Sequence, residues 1–238
     1  MIESHTNPLQ PLPNMVRNII LFLVHLFFKL TARITITGDT AHKDGNYVVV
    51  ANHLGFIDIA LLYHFAQRPD MIVIVADKHT RSPLKRWIGD QVGLRWINRE
   101  NPDVRLLKQV YTDLKKGGLL VIAPEGTRSP TQALIPGKPG AAYLAARAGV
   151  PILPTAMHGT EDKVVSNRLK HFQKLDLFVH IGTPFTLPPL PKQNRDAALQ
   201  AHTDEIMCQI AALLPASYRG HYAQYPRTLA LLNKEPKP

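Results

Sequence analysis

The sequence contains a single cysteine, Cys208, among 238 residues. One cysteine excludes an intramolecular disulfide and leaves no thiolate cluster for a metal ion, so a reducing, intracellular location is the simpler interpretation. Histidines do not replace the missing thiolates as metal ligands. Outside the motifs described next, no three histidines have the spacing of a metal site. We therefore expect no metal site.

An apolar run long enough to cross a bilayer is also lacking. Residues 19–28 are almost all apolar, but Arg17 and Lys29 flank them. The helix between these two charges would be roughly 18 Å long, whereas a bilayer core is about 30 Å thick. A secretory signal is disfavoured too, because the run ends at residues 29–33 without a small-x-small cleavage site.

The same segment has the pattern of an amphipathic helix. Its polar residues fall within an arc of roughly 160° on a helical projection, although three apolar residues intrude on that arc. The polar residues are Asn14, Arg17, Asn18, His25, Lys29 and Arg33. We predict a helix that lies in the interface of a membrane on its cytoplasmic side, which would make the protein peripheral or monotopic. The alternative is an ordinary amphipathic helix packed on the domain.

Acidic residues are fewer than basic ones. The chain has 28 Lys and Arg against 18 Asp and Glu, a net charge of +10, which favours an anionic partner such as a phospholipid membrane or a nucleic acid. A clustered basic helix, a zinc pattern or alternating aromatics would favour nucleic acid, and the sequence has none of them. An anionic membrane surface is therefore the expected partner.

Short β-rich runs alternate with helical stretches, a pattern typical of an α/β fold with a mainly parallel sheet flanked by helices. The length and the 45% hydrophobic content suit one large domain. We predict a flexible start with the amphipathic helix at 1–33, one α/β domain at 34–221 and an irregular tail at 222–238. Predicted strands cover 34–37, 47–51, 71–76, 94–97, 119–123, 152–157 and 175–181. Predicted helices cover 57–67, 83–92, 103–116, 139–148 and 197–214.

A His-x4-Asp pattern, His53 and Asp58, follows the predicted strand at 47–51. Strand ends are where α/β enzymes place their chemistry. An Asp can accept the proton of one imidazole nitrogen and fix the tautomer, which leaves the other nitrogen free to take a proton from a hydroxyl. The pair is weak evidence by itself, because this spacing also occurs by chance.

Three further motifs follow in order, each at or beside a predicted strand. They are Gly93-Leu94-Arg95-Trp96-Ile97-Asn98-Arg99, Pro124-Glu125-Gly126-Thr127-Arg128-Ser129 and Val150-Pro151-Ile152-Leu153-Pro154. Together with the His-x4-Asp pattern, they resemble the glycerolipid acyltransferases, the family that includes 1-acylglycerol-3-phosphate acyltransferase. The resemblance covers residues from about 45 to 185.

The resemblance implies an enzyme that moves a fatty acyl group from an acyl-CoA or acyl carrier protein thioester to the free hydroxyl of lysophosphatidate. His53 would be the general base and Asp58 would orient it. No nucleophilic side chain and no bound cofactor would be needed, which suits the absence of a Gly-x-Ser-x-Gly elbow. Glycerol-3-phosphate or another lysophospholipid is an alternative acceptor. A hydrolase and a non-catalytic lipid-binding or lipid-transfer protein are alternatives of other classes.

The resemblance also suggests which residues bind the acceptor. Arg99, Arg128 and Lys78 would bind its phosphate, since a guanidinium can hold a phosphate through two charge-assisted bonds. Solvated surface charges are the alternative for Arg99 and Lys78. Glu125, Gly126 and Thr127 would shape the acceptor site, with Thr127 and Arg128 lining the pocket and Gly126 permitting a tight bend. A Glu125–Arg128 ion pair that holds the loop is the alternative.

One position departs from the family pattern. Family members often have Ser where this chain has Gly55, which puts the fine positioning near His53 in question. The Val150–Pro154 motif has no titratable group, and we interpret it as packing beside the site.

Overall fold

The computed structural model describes residues 14–38, 45–68, 70–76, 82–97 and 104–233. These residues form a seven-stranded sheet in the order β1-β7-β6-β2-β5-β3-β4. The strands are β1 (Ala32–Thr37), β2 (Val48–Ala51), β3 (Met71–Ala76), β4 (Leu94–Ile97), β5 (Leu119–Ile122), β6 (Ile152–His158) and β7 (Leu175–Ile181). The mainly parallel sheet expected from the sequence is therefore confirmed.

Two strands at one edge of the sheet run in the opposite direction to the rest. Neighbouring strands from β6 to β4 pair in parallel, whereas β7 pairs antiparallel with β6 and parallel with β1. All four residues of the central strand β2 are buried. This is expected for a parallel strand that is covered by helices on both faces.

Helices cover both faces of the sheet. They are α1 (Asn14–Thr31), α2 (Asp58–Ala66), α3 (Pro83–Gln91), α4 (Val104–Lys115), α5 (Gly140–Ala148), α6 (Asp162–Lys170), α7 (Arg195–Leu213) and α8 (Pro226–Leu232). Alternate residues of β2 point to opposite faces. Val48 and Val50 join a core cluster with α4, α5 and α7, while Val49 and Ala51 join a second cluster with α1, α2 and α6.

The N-terminal helix α1 packs on the domain through one face. Phe28 is 1% exposed and belongs to the core cluster under α2. His25 stacks on His64 of α2 with ring centroids 4.6 Å apart, and Arg17 donates to the carbonyl of Arg68. The packed-helix alternative is thus correct for this face, and polar side chains contribute to the packing. Among the described residues, no helix combines the length and apolar character needed to cross a membrane.

The opposite face of α1 is apolar and exposed. Met15, Ile19, Phe22, Leu23 and Leu30 all leave half or more of their surface accessible, at 65%, 51%, 63%, 55% and 62%. Apart from the adjacent Phe22 and Leu23, successive positions are three, four or seven residues apart, so the five residues form one stripe along the helix. Folded domains rarely expose a contiguous apolar stripe of this kind.

Two helices were not expected from the sequence. Helix α6 connects β6 to the reversed strand β7, in a stretch that the sequence pattern left unassigned. Helix α8 lies inside the segment from residue 222 onward that was predicted to be irregular, so that prediction is wrong for Pro226–Leu232. Thr228 of α8 is wholly buried, and α8 contacts α7. Residues 226–232 are therefore part of the domain.

Candidate active site

The motifs meet at the carboxyl ends of the central parallel strands. His53 lies just after β2, Pro124 just after β5, and Met157 near the end of β6. Because β5 and β6 both pair with β2, their carboxyl ends are adjacent in the sheet. This edge is where open α/β sheets place their ligands.

The predicted contact between His53 and Asp58 is present. His53 Nδ1 lies 2.8 Å from Asp58 Oδ2, and the same oxygen accepts the backbone N–H groups of Leu54 at 2.7 Å and Gly55 at 2.9 Å. Because Oδ2 already accepts two backbone N–H groups, it also accepts the hydrogen of Nδ1, and the lone pair of the neutral imidazole is then on Nε2. The Asp58 side chain is 3% exposed, and that of His53 is 23% exposed.

Glu125 holds the third motif against the first. Its Oε1 accepts the backbone N–H of His53 at 2.9 Å, and its Oε2 accepts that of Ile135 at 3.1 Å. Glu125 is 1% exposed, and burial raises its pKa to about 7 although both N–H bonds act in the opposite direction. The backbone N–H of Ser129 also donates to the carbonyl of His53 at 2.9 Å. Glu125 thus fixes the backbone that carries the candidate base.

Arg128 pairs with an aspartate of α6, and the partners of Glu125 are backbone amides, so the alternative of a Glu125–Arg128 pair is wrong. Arg128 Nη1 donates to Asp162 Oδ2 at 2.6 Å, with the Arg128 side chain 40% exposed. Asp162 Oδ1 accepts the backbone N–H of Phe56 at 2.7 Å. Asp162 therefore connects the first and third motifs from the α6 side.

Asn52, next to the candidate base, joins β2 to β6. Its side-chain amide donates to the carbonyl of Met157 at 2.8 Å and its oxygen accepts the N–H of Met157 at 2.7 Å. Asn52 is buried. No role was predicted for Asn52 from the sequence, although a polar residue at the end of an otherwise apolar strand was a signal that could have indicated one. The Val150–Pro154 motif enters β6, where its residues pack beside β2, consistent with the packing interpretation.

Gly55 has a steric explanation in this structure. A Cβ atom at this position would lie 1.8 Å from the carbonyl oxygen of Thr160. Real Cβ atoms do not approach an oxygen this closely, so any side chain at position 55 would displace the backbone after β6. The departure from the family's serine thus allows close packing between two backbone segments behind the candidate site.

His53 lines a cavity of about 430 Å³ whose wall is mainly apolar. The cavity extends from the His53–Asp58 pair across the sheet edge to α4 and α5, where Leu107, Tyr143 and Leu144 line it. Its size is within the usual range of small-molecule sites. An apolar cavity beside a histidine is suited to hold a hydrocarbon chain with its reactive end at the imidazole.

Two of the residues expected to line the pocket do not line this cavity. Gly126 does, with a φ of +70° that permits the bend, but Thr127 and Arg128 are absent from the wall. The reason is that the chain turns away after Gly126, where the Arg128 side chain bonds to Asp162 and the Ser129 amide bonds to His53. Thr127 and Arg128 therefore do not contribute to this cavity, and their expected part in an acceptor site stays a prediction. Arg99 and Lys78 lie outside the described residues.

Lys138 is a cavity-lining residue that the sequence analysis missed. It lies just before α5, and its backbone N–H donates to the carbonyl of Pro124 at 2.7 Å. Its position in a loop between the third motif and α5, close to a glycine and a proline, gave no local sign that it returns to the site.

Comparison with known proteins agrees with this geometry. A family model described as "Acyltransferase" matches residues 33–158, which is more than half of the chain. The chain therefore belongs to the acyltransferase family. A chloroplastic 1-acyl-sn-glycerol-3-phosphate acyltransferase of Brassica napus is 35% identical over 126 residues, which are 50% of this chain and 34% of that protein. The chain thus spans only about a third of that relative's length.

Two other similar proteins cover more of the chain. The lyso-ornithine lipid O-acyltransferase of Pseudomonas aeruginosa is 27% identical over 74% of this chain and 71% of its own length. The crystal structure of PlsC from Thermotoga maritima, a 1-acyl-sn-glycerophosphate acyltransferase, matches with a TM-score of 0.58 and 26% identity, covering 81% of this chain and 78% of that one. This chain therefore has a PlsC-like fold.

Proposed function

We propose that this protein transfers a fatty acyl group from a thioester to the free hydroxyl of lysophosphatidate, giving phosphatidate. The observation that carries the proposal is the His53–Asp58 pair in the wall of an apolar cavity, with Nδ1 held by the carboxylate and Nε2 without a hydrogen-bond partner among the described residues. A lipid-binding protein without chemistry would have no use for a histidine oriented in this way. The 1-acyl-sn-glycerol-3-phosphate acyltransferases among the relatives support the choice of acceptor.

The proposed reaction needs one base and no covalent intermediate. His53 Nε2 takes the proton of the acceptor hydroxyl as its oxygen attacks the thioester carbonyl, forming the new C–O bond. Asp58 stabilises the imidazolium that results. When the tetrahedral intermediate collapses, the C–S bond breaks, the sulfur leaves with the bonding electrons, and the imidazolium returns the proton to it. The products are the ester and the free thiol of CoA or acyl carrier protein, and the reaction uses no further cofactor.

We assign the apolar part of the cavity wall to the acyl chain of the thioester. We assign the acceptor's phosphate to basic side chains near the second and third motifs, with Arg99 and Lys78 as candidates and Arg128 as a weaker one because Asp162 already neutralises it. The relatives divide on the acceptor, since the P. aeruginosa protein is named for a lyso-ornithine lipid. Glycerol-3-phosphate and other lysophospholipids therefore belong in every acceptor assay.

The test supplies acyl-CoA and acyl carrier protein thioesters with phosphorylated and unphosphorylated acceptors and identifies the products by mass spectrometry. We expect phosphatidate from lysophosphatidate, and a loss of about 10²- to 10⁴-fold in the His53→Ala variant, which is the usual contribution of a general base. His171→Ala, at an exposed histidine at the end of α6, is the matched control. Free fatty acid as the main product would indicate a hydrolase, and lipid binding without turnover would indicate a carrier.

We also propose that the protein docks on the cytoplasmic side of an anionic membrane through α1 and α3. The outer stripe of α1 supports this, and α3, which contacts α1, adds Leu84, Trp87 and Ile88 at 63%, 49% and 39% exposure. Trp87 and Ile88 lie three and four positions after Leu84, so both share a helix face with it. Lys85, exposed beside them, and the net charge of +10 complement anionic lipid.

The two tryptophans of the chain allow each part of this surface to be tested. Trp87 is half exposed on α3, whereas Trp96 donates its indole N–H to Asp90 at 2.6 Å. With Trp96→Phe protein, anionic vesicles at low salt should shift the emission to shorter wavelength. With Trp87→Phe protein they should not. Vesicles of neutral lipid are the control for charge. If the unaltered protein does not bind anionic vesicles, the membrane proposal is rejected. If it binds but the emission of Trp87 does not shift, α3 is not part of the docking surface.

A further inference from the structure

Lys138 is the only lysine or arginine that lines the His53 cavity within the described part of the chain. Its side chain runs over Gly126 of the third motif. Measured from the point where a Cβ of Gly126 would be, Cδ of Lys138 lies at 3.0 Å, Cε at 3.4 Å and Nζ at 3.5 Å. Because Gly126 has no side chain, the lysine stem can lie against the motif backbone. The ammonium is thereby held beside the turn that carries Glu125.

The charge of Lys138 has no neutralising neighbour in the part of the chain that the structure describes. Within the described ranges, no hydrogen bond or ion pair joins its side chain to the protein, whereas Arg128 is paired with Asp162. Glu125, the nearest carboxylate along the motif, accepts two backbone amides instead. A lysine ammonium has three donors, and in this position they face the cavity and solvent. An anionic group of a ligand in the cavity is a suitable partner for them.

We propose that Lys138 binds the phosphate of the acceptor and so positions its hydroxyl at His53. This inference rests on the proposed function and adds a residue to it. The acceptor carries its phosphate on the carbon next to the one with the attacking hydroxyl. A cation that shares a cavity with the base is therefore placed to bind the phosphate while the hydroxyl meets Nε2. A pantetheine thioester, by contrast, carries its nearest phosphate at the far end of a long arm.

Three variants test the role of the charge. Lys138→Met keeps the length of the stem and removes the charge, Lys138→Arg keeps the charge, and Lys116→Met is the control at an exposed lysine after α4, at the opposite edge of the sheet. For Lys138→Met we expect the KM for lysophosphatidate to rise about 10- to 100-fold, as for a lost charge-assisted bond. The thioester KM and the melting temperature should stay unchanged. Lys138→Arg should recover most of the loss.

An acceptor without a phosphate, such as monoacylglycerol, completes the test. If Lys138 binds phosphate, Lys138→Met should use this acceptor as well as unaltered protein does. A fall in kcat with both KM values unchanged would instead indicate that the ammonium stabilises the reaction's oxyanion, and would overturn the proposal. So would a rise in the thioester KM alone, or no effect. If unaltered protein does not acylate lysophosphatidate at all, the proposed function fails. This outcome is distinguishable from failure of the Lys138 proposal, because it is seen without any variant.

Discussion

Replacement of Asp58 by Asn should reduce the rate of acyl transfer while the hydrogen of the His53 ring stays on Nδ1. In the structure one oxygen, Oδ2, accepts three N–H groups, those of the His53 ring, Leu54 and Gly55. An amide NH2 at this position would face two backbone N–H donors. The Asn side chain is therefore forced to put its carbonyl oxygen there, and that oxygen still accepts the Nδ1 hydrogen of His53.

The expected loss comes from the missing charge. A carboxylate about 4 Å from the imidazolium charge is worth about 4 kcal/mol at an effective dielectric constant of about 20. The neutral hydrogen bond that remains returns about 1 kcal/mol. The difference of about 3 kcal/mol corresponds to about a 10²-fold fall in kcat/KM. The three N–H groups would then donate to a neutral oxygen in place of a charged one, so stability should also fall by about 1 to 3 kcal/mol.

Steady-state kinetics of Asp58→Asn, Asp58→Ala and His53→Ala, with thermal melts of each, provide the measurement. Asp58→Ala removes the acceptor for all three N–H groups and leaves the ring free to rotate, so it should be slower than Asp58→Asn. If Asp58→Asn is as slow as Asp58→Ala, the argument that the two backbone amides orient the side chain is wrong. If it is as fast as unaltered protein, the negative charge of Asp58 plays no part in the rate.

Two other expectations follow from the packing around the site. Gly55→Ser restores the residue common in the family. It should lower stability by about 1 to 3 kcal/mol and reduce activity, because the serine Cβ would meet the carbonyl oxygen of Thr160. A serine variant with an unchanged melting temperature would contradict this close approach. The folded-state pKa of Glu125, about 7, lies above the ordinary value of 4.5. The folded state therefore binds this proton more tightly than the unfolded state does. The resulting contribution to the free energy of unfolding is complete below about pH 4.5 and is lost as the pH rises through about 7. Glu125→Ala should abolish this pH dependence in denaturant titrations and destabilise the protein at every pH by leaving the amides of His53 and Ile135 without a partner.

Much of the sheet could be predicted from local pattern. The predicted strands at Met71–Ala76, Leu94–Ile97 and Leu175–Ile181 have the bounds that the structure shows. Each is a short run rich in apolar or β-branched residues with a turn or loop at its ends, which is the strongest local signal for a strand. The His53–Asp58 contact was also predictable, because His53 lies just after the end of β2 and Asp58 begins α2, with only a short connection at residues 52–57 between the two elements.

Other features depend on contacts between distant parts of the chain. Helix α6 buries only Val165, so its apolar period is too weak to detect, and α8 has seven residues. The reversed direction of β7 depends on how α6 connects it to β6, which composition does not reveal. Arg128 and Asp162 are 34 residues apart, and only the fold brings them together. The position of Lys138 over Gly126 has the same origin, since it depends on the path of a loop.

Helix α1 changes how experiments on membrane attachment should be designed. Its inner face supplies Phe28 to the core, and loss of a buried phenylalanine side chain commonly costs about 3 to 5 kcal/mol. A protein shortened to begin after Thr31 would lose this packing together with the outer stripe, so its failure to bind vesicles would have two explanations. Changing outer residues such as Phe22 and Leu23 to serine would separate them. In this protein the candidate membrane anchor and the enzyme share helix α1, with the outer face belonging to the first and the inner face to the second. No single cut in the chain can therefore separate the two.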